Sequence, residues 1–270
     1  MKIKIYQIDA FSDQVFRGNP AAICILDGWI DESTMQLIAA ENNLAETAFV
    51  VPLGKNYAIR WFTPKAEVDL CGHATLAAAH VLFNYYNYKS HTIRFESLAS
   101  GELLVTKDGK KLVLDFPADQ IEKVAPPDSL IKAIGGKPIE TYIGKTDYML
   151  IFNSQKAVEL LKPDFKRLAK VNARGIIVSA RGEQVDFVSR FFAPQVGIDE
   201  DPVTGSAHTT LTPYWANKLN KTTLTAQQLS KRKGNLVCVW DGDRVKISGS
   251  AVTFMIGEIE IENTPLGSES

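Results

Sequence analysis

Residues 72–83 read GHATLAAAHVLF. From His73 to Phe83 nearly every position is small or apolar, so no face of the segment suits water. A helix that is apolar all round is buried all round. The alanines at 74, 77, 78 and 79 would also let other backbone approach closely. The stretch therefore predicts a central helix threaded through a curled sheet, not a helix laid on a surface.

The segments on either side read as strands. Residues 48–52 and 58–63 precede the helix, and 91–96, 101–107 and 111–116 follow it, the last two joined across Asp108-Gly109. Further upstream, Lys2/Ile3/Lys4/Ile5 alternates like a half-buried strand, and 19–26 reads as a second one. Asp31-Glu32-Ser33 offers capping groups to a helix with Met35, Leu37, Ile38 and Ala39 that should end near Asn42-Asn43.

The pattern then repeats. Arg60-Trp61-Phe62-Thr63-Pro64 matches Arg190-Phe191-Phe192-Ala193-Pro194, and Gly72-His73-Ala74-Thr75 matches Gly205-Ser206-Ala207-His208, at offsets of 130 and 133 residues. Two matches in the same order point to duplication. The expected fold is α+β: two similar domains about a pseudo-two-fold axis, over 1–117 and 118–261, with a tail at 262–270. Proline-rich 117–128 serves as the linker, and the last strand, 252–261, is a candidate to return to the first domain. The second half should carry a short helix at 130–134 stopped by Gly135-Gly136, and another at 163–170. Its strands should fall at 147–152, 175–179 and 185–192, with a hairpin 235–241/243–248 across Asp241-Gly242. The helix opened by Gly205 contains Pro213, which should kink or split it. A duplicated fold sets the two helix N-termini face to face. Their unpaired N–H groups make a site for a small anion.

Composition narrows the classes. A formal net charge of -1, with 30 basic and 31 acidic residues, gives no basic field for nucleic acid or an anionic membrane surface. No window has the apolar length of a membrane span. Three scattered cysteines, Cys24, Cys71 and Cys238, do not make a disulfide framework, so the expected location is cytoplasmic. His73 and His80 lie about 10 Å apart along a helix and cannot share one metal. No phosphate loop or metal motif is present, so neither cofactor nor metal is expected.

The stretches DAFSDQVFRGNPAAICIL, NLAETAFV, IRWFTPKAEVDLCGHATLAAAHVLF and SRFFAPQVGIDEDPVTGSAH together resemble the phenazine-biosynthesis PhzF-like isomerases. That family is similar in fold to diaminopimelate epimerase, with two domains that each wrap a curled antiparallel sheet around a central helix. The resemblance implies a homodimer. It also implies that Glu46, in the N-L-A-E-T-A-F motif, is the acid/base, and that Gly72, His73, Asp201, Gly205 and Ser206 line the site. Diaminopimelate epimerases use one cysteine from each half. Here Cys71 falls near the first such place, but Thr204 occupies the second, which favours a single carboxylate.

The expected activity is movement of a proton between carbons of a small carboxylate substrate, with Glu46, His73 and Asp201 catalytic and Gly72, His73, Gly205 and Ser206 binding. An apolar setting should raise the Glu46 pKa. Two alternatives stand beside this: an amino- or hydroxy-acid epimerase using Cys71, and a non-catalytic module binding a small anion or a protein.

Overall fold

A computed structural model describes residues 1–261; the proposed tail at 262–270 lies outside them. Strands β1 (Lys2–Ala10), β2 (Asn19–Ile25), β3 (Glu46–Leu53), β4 (Asn56–Phe62), β5 (Glu67–Val68), β6 (Thr92–Ser97), β7 (Gly101–Asp108) and β8 (Lys111–Pro117) form the first half. Helix α1 (Glu32–Asn42) connects β2 to β3, and α2 (Gly72–Tyr85) carries the chain toward β6. After β9 (Glu122–Lys123) and α3 (Asp128–Ile134), the second half runs through β10 (Glu140–Ile143), β11 (Asp147–Ile151), α4 (Gln155–Glu159), α5 (Phe165–Leu168), β12 (Gly175–Arg181) and β13 (Phe187–Ala193). It ends with β14 (Ile198–Asp201), α6 (Gly205–Leu219), β15 (Thr223–Gln228), β16 (Gly234–Asp241), β17 (Arg244–Gly249) and β18 (Ala251–Glu260).

Strand pairing repeats between the halves. In the first, β1 pairs β2, β2 pairs β3 in parallel, and β3 pairs β4; β4 pairs β6 in parallel, and β7 and β8 follow. In the second, β10, β11, β12, β13, β15, β16 and β17 take the same places with the same parallel pairs. Parallel neighbours need a long crossover. Here α1, α2, α4–α5 and α6 supply all four crossovers. The sheet is therefore mixed, with antiparallel pairs predominating. The halves join where β8 pairs β17. They also exchange arms: β9 crosses to lie on β10, and β18 crosses back to lie on β1.

Period-2 alternation explains the layers. Tyr6, Ile8, Ala21, Ile23, Ala48, Val50, Ile59 and Trp61 point inward to α2, while Ile3, Ile5, Ala22, Cys24, Phe49 and Phe62 point outward to α1. In the second half Met149, Ile151, Ile177 and Phe187 face α6, and Leu150, Phe152, Val178 and Val188 face the outer helices. Both central helices share one core cluster.

The repeated Arg-aromatic-Phe motifs do the same work twice. Arg60 grips Glu67 through Nε and Nη2 (2.7 and 2.6 Å) and lies over Phe62. Arg190 grips Glu200 in the same way (2.7 and 3.0 Å) and lies over Phe192.

Some expected elements differ. The helix expected at 163–170 shrinks to the four residues of α5, while α4, β10 and β15 arise in segments without a clear apolar period. Helix α6 is not split but runs unbroken through Pro213. Proline frees the carbonyl of Thr209, and the N–H of Asp119 takes it at 3.2 Å.

Ala74, Ala77, Ala78 and Ala79 are all fully buried on α2. We expect Ala78→Leu to cost about 1–3 kcal/mol by overpacking. Urea unfolding of the two proteins measures it, and equal midpoints would show that α2 is not close-packed there.

Candidate active site

Glu46 begins β3, beside Ala21 on the parallel strand β2. Asn43 ends α1 in the left-handed conformation (φ 47°), which turns the chain sharply into that strand. The Nδ2 of Asn42 then donates to Thr47 Oγ1 at 3.1 Å and fixes the turn. The Glu46 carboxyl thus faces the N-terminus of α2, with Oε2 3.2 Å from His73 Nε2. Among the described residues neither atom has a hydrogen-bond partner, and the two are close without being aligned as a formed hydrogen bond.

The charges around this pair are set by burial. Removal from water lifts the Glu46 pKa to about 8, and the nearby Asp201 adds to the rise. Burial lowers His73 to about 3, so its ring is neutral at physiological pH. The pair is therefore a protonated carboxyl beside a neutral imidazole, not a fixed ion pair. Cys71, the N-cap of α2, places Sγ 3.4 Å from His73 Nδ1. Its thiol is pushed well above the ordinary value, chiefly by burial and then by Glu46.

Asp201 enters from the second half, at the end of β14. Its Oδ1 accepts from Asn19 Nδ2 at 2.8 Å, and its Oδ2 accepts from the Thr204 hydroxyl. Burial still raises it to about 6, against the pull of those two donors. Gln228 completes the support: Nε2 donates to the Asp201 carbonyl (2.8 Å), and Oε1 accepts from the Thr204 N–H (2.9 Å).

Asn19 binds the halves together, and sequence reading passes over it as the first residue of a strand. It is fully buried, and its amide donates to Asp201 Oδ1 and to the Val203 carbonyl (3.0 Å) while touching His73 Nδ1 at 3.2 Å. The loop before it is held from the other half. Arg232 donates to Asp9 Oδ1 (2.7 Å) and to the Gly18 carbonyl (2.9 Å), and the Gly18 N–H donates to the Lys233 carbonyl (2.7 Å). Gly18 has φ +67°, and a Cβ there would sit 2.1 Å from the Ala10 carbonyl oxygen, so only glycine delivers Asn19 in this way. The GNP sequence carried that signal.

Gly72, His73, Gly205 and Ser206 occupy the first turns of α2 and α6, which touch each other. Neither cap residue, Cys71 or Thr204, bonds its side chain to the first turn, which leaves first-turn N–H groups as donors for an anion. The fourth residue of each helix bonds back to the capping carbonyl: Thr75 Oγ1 to Cys71 (2.7 Å) and His208 Nδ1 to Thr204 (2.8 Å). His208 is thereby structural. Glu46, Cys71 and His73 offer three ligand atoms within 4.8 Å of one another. Cys71 and Glu46 approach opposite nitrogens of the ring, so a single ion could keep only one of those two contacts through His73. A surface groove of about 610 Å³ beside Asp119, Gln120, Gly144 and Lys145 does not include these residues. Glu46, Cys71 and His73 themselves are largely shielded from solvent.

A family profile described as phenazine biosynthesis-like protein (PhzC-PhzF) matches residues 8–257. The chain belongs to that family. It is 52% identical over 262 residues to an uncharacterized isomerase of Pseudomonas aeruginosa, covering 97% of this chain and all of the relative. A PhzF-family crystal structure from Enterococcus faecalis superposes with a TM-score of 0.94 at 48% identity, over 97% of this chain and all of that one. A hydroxyproline epimerase from Agrobacterium vitis shares the fold alone, with a TM-score of 0.62 at 7% identity over 96% of this chain and 92% of that one. The chain is thus an isomerase-family enzyme of α+β, epimerase-like architecture. Among the described residues, no helix is long and apolar enough to cross a membrane.

The raised carboxyl has a cost that pH reveals. The Glu46 pKa rises from 4.5 unfolded to about 8 folded, so the native state binds more protons between those values and loses stability as pH rises through them. Glu46→Gln removes that loss. Thermal unfolding should show the variant gaining on the wild type from pH 5 to 8, by on the order of several kcal/mol. A pH-independent difference would contradict the environment assigned to Glu46.

Proposed function

We propose that this enzyme isomerises or epimerises a small carboxylate substrate by proton transfer, without a cofactor, and that Glu46 carries the proton. The observation behind this reading is the Glu46 carboxyl, buried against His73 at 3.2 Å, where removal from water lifts its pKa to about 8. A group that must both take a proton from carbon and give it back works best with a pKa near the operating pH. An ordinary surface glutamate would give it back poorly.

The neighbours divide the remaining work. His73, neutral and 3.2 Å from Glu46 Oε2, packs against the carboxyl and orients it. Asp201 has donors on both oxygens, which suits orientation and electrostatic tuning better than proton transfer. Its charge is the second cause of the raised Glu46 pKa. The N–H groups of Gly72 and His73 on one side and Gly205 and Ser206 on the other hold the substrate carboxylate, and they stabilise charge building toward an enolate. Each such donor is worth roughly 3 kcal/mol in the transition state.

The Cys71 alternative draws less support. A thiol acts as a base through its thiolate, and burial beside Glu46 opposes that form. Nothing in the site favours a non-catalytic role over proton transfer.

Hydrogen–deuterium exchange in heavy water, across a panel of small carboxylic acids, tests the assignment. We expect wild type to wash deuterium into at least one acid, and Glu46→Gln to lose about 10²–10⁴ of that rate. For wild type, kcat/KM should climb with pH toward a plateau above about 8, as Glu46 becomes a carboxylate. Equal exchange by wild type and Glu46→Gln would refute the role. Undiminished exchange in Cys71→Ala is also expected.

A further inference from the structure

The two halves put different chemistry at one equivalent place. In the first half the parallel pair β2–β3 sets Glu46 opposite Ala21, and Glu46 reaches His73, the second residue of α2. In the second half the corresponding pair β11–β12 sets Gly175 opposite Asp147. The residue next to Gly175 is Arg174, and its Nη2 donates to Oγ of Ser206, the second residue of α6, at 3.1 Å. Glu46–His73 on one side thus corresponds to Arg174–Ser206 on the other.

Arg174 is held firmly in that position. Its Nε and Nη2 form a fork on Asp147, with 2.9 Å at Nε, and Asp147 is buried with 3% of its side chain exposed. The guanidinium lies 5.4 Å over the Phe191 ring. That ring fills the space a side chain at 175 would need, since a Cβ there would come within 2.2 Å of it. The glycine beside Arg174 is therefore what lets Phe191 support it.

The donor count then decides what is left over. A guanidinium has five N–H groups and no acceptor. Asp147 and Ser206 take three of them, and no described residue takes the two on Nη1. The Arg174 side chain is 40% exposed, so solvent and small ligands reach it. Because Arg174 only donates, the Ser206 oxygen accepts, and the Ser206 hydrogen is free to be given elsewhere. Beside them lies the uncapped N-terminus of α6.

We propose that Arg174 is a substrate-binding residue whose Nη1 edge, with the Ser206 hydroxyl, takes a carboxylate of the substrate opposite the Glu46 acid/base. This rests on the proton-transfer reading above and narrows it. The site selects acids over their neutral amides and esters, and the guanidinium fixes which half of the cleft the anionic end occupies. A bidentate guanidinium–carboxylate contact supplies both energy and orientation.

Malonate, a small dicarboxylate, is the probe. Its binding to the full chain is measured by calorimetry for wild type, Glu46→Gln, Arg174→Lys, Ser206→Ala and the double variant Arg174→Gln/Asp147→Asn. The double variant removes both charges together, so it leaves no buried unpaired carboxylate. We expect its malonate Kd to rise about 10–100-fold, with Arg174→Lys and Ser206→Ala intermediate and Glu46→Gln unchanged. For any acid that wild type exchanges, KM should rise by a similar factor at nearly constant kcat, as for an interaction made equally in ground and transition states. Malonate that binds the double variant and Ser206→Ala as tightly as wild type, or fails to bind wild type, overturns the proposal. If Arg174 and Ser206 variants lose malonate while Glu46→Gln exchanges normally, the anion site stands and the role of Glu46 falls instead.

Discussion

One buried amide holds this site together. Asn19 comes from the first half, yet both its Nδ2 hydrogens go to the second, to Asp201 and to the Val203 carbonyl. The same nitrogen touches His73. Without that bridge the Asp201 carboxylate would sit buried with one oxygen unpaired, at a cost of a few kcal/mol. The Arg232–Asp9 clasp and Gly18 exist, in physical terms, to bring Asn19 there. Everything chemical follows from the closeness that results. Glu46 and Asp201, on different halves, are near enough for the charge of one to raise the pKa of the other.

The scaffold is symmetric and its chemistry is not. Strand order, parallel pairs, the two Arg–Glu grips and the two uncapped helix starts recur between halves. At the equivalent positions the side chains diverge: Cys71 against Thr204, His73 against Ser206, and Glu46 against the neighbourhood of Arg174. A duplicated cleft has two helix dipoles that both favour an anion. A carboxyl on one side and a guanidinium on the other make the two ends of that cleft chemically unequal. Burial then makes the difference large, because a group removed from water shifts far more than one at the surface.

Much of this was legible in the sequence. The all-round apolar run at 73–83 required a buried helix, and α2 is one. The repeat predicted paired helix starts, and α2 and α6 open at the expected glycines. Glu46, His73 and Asp201 were named from motifs, and they gather in one cluster. Asn19, Gln228 and Arg174 were not named. Each is polar and unremarkable in its own segment, and acts only through a partner far along the chain: Asn19 on Asp201, Gln228 on Thr204, Arg174 on Asp147 and Ser206. Pro213 does not split its helix for a related reason: the carbonyl it frees accepts a distant N–H, that of Asp119.

By itself, then, the sequence determined the alternation of strands, the two buried helices, the duplication and the acidic residue at the turn into β3. Those are short-range facts, set by the side-chain period and by backbone capping. Only the tertiary structure decided which half each charge faces, how far Glu46 rises, that β9 lies on β10, and that Arg174 reaches Ser206. The physical reason is that desolvation and Coulomb interaction depend on distance in space. In this fold Asn19 and Asp201, which meet in the site, lie 182 residues apart along the chain.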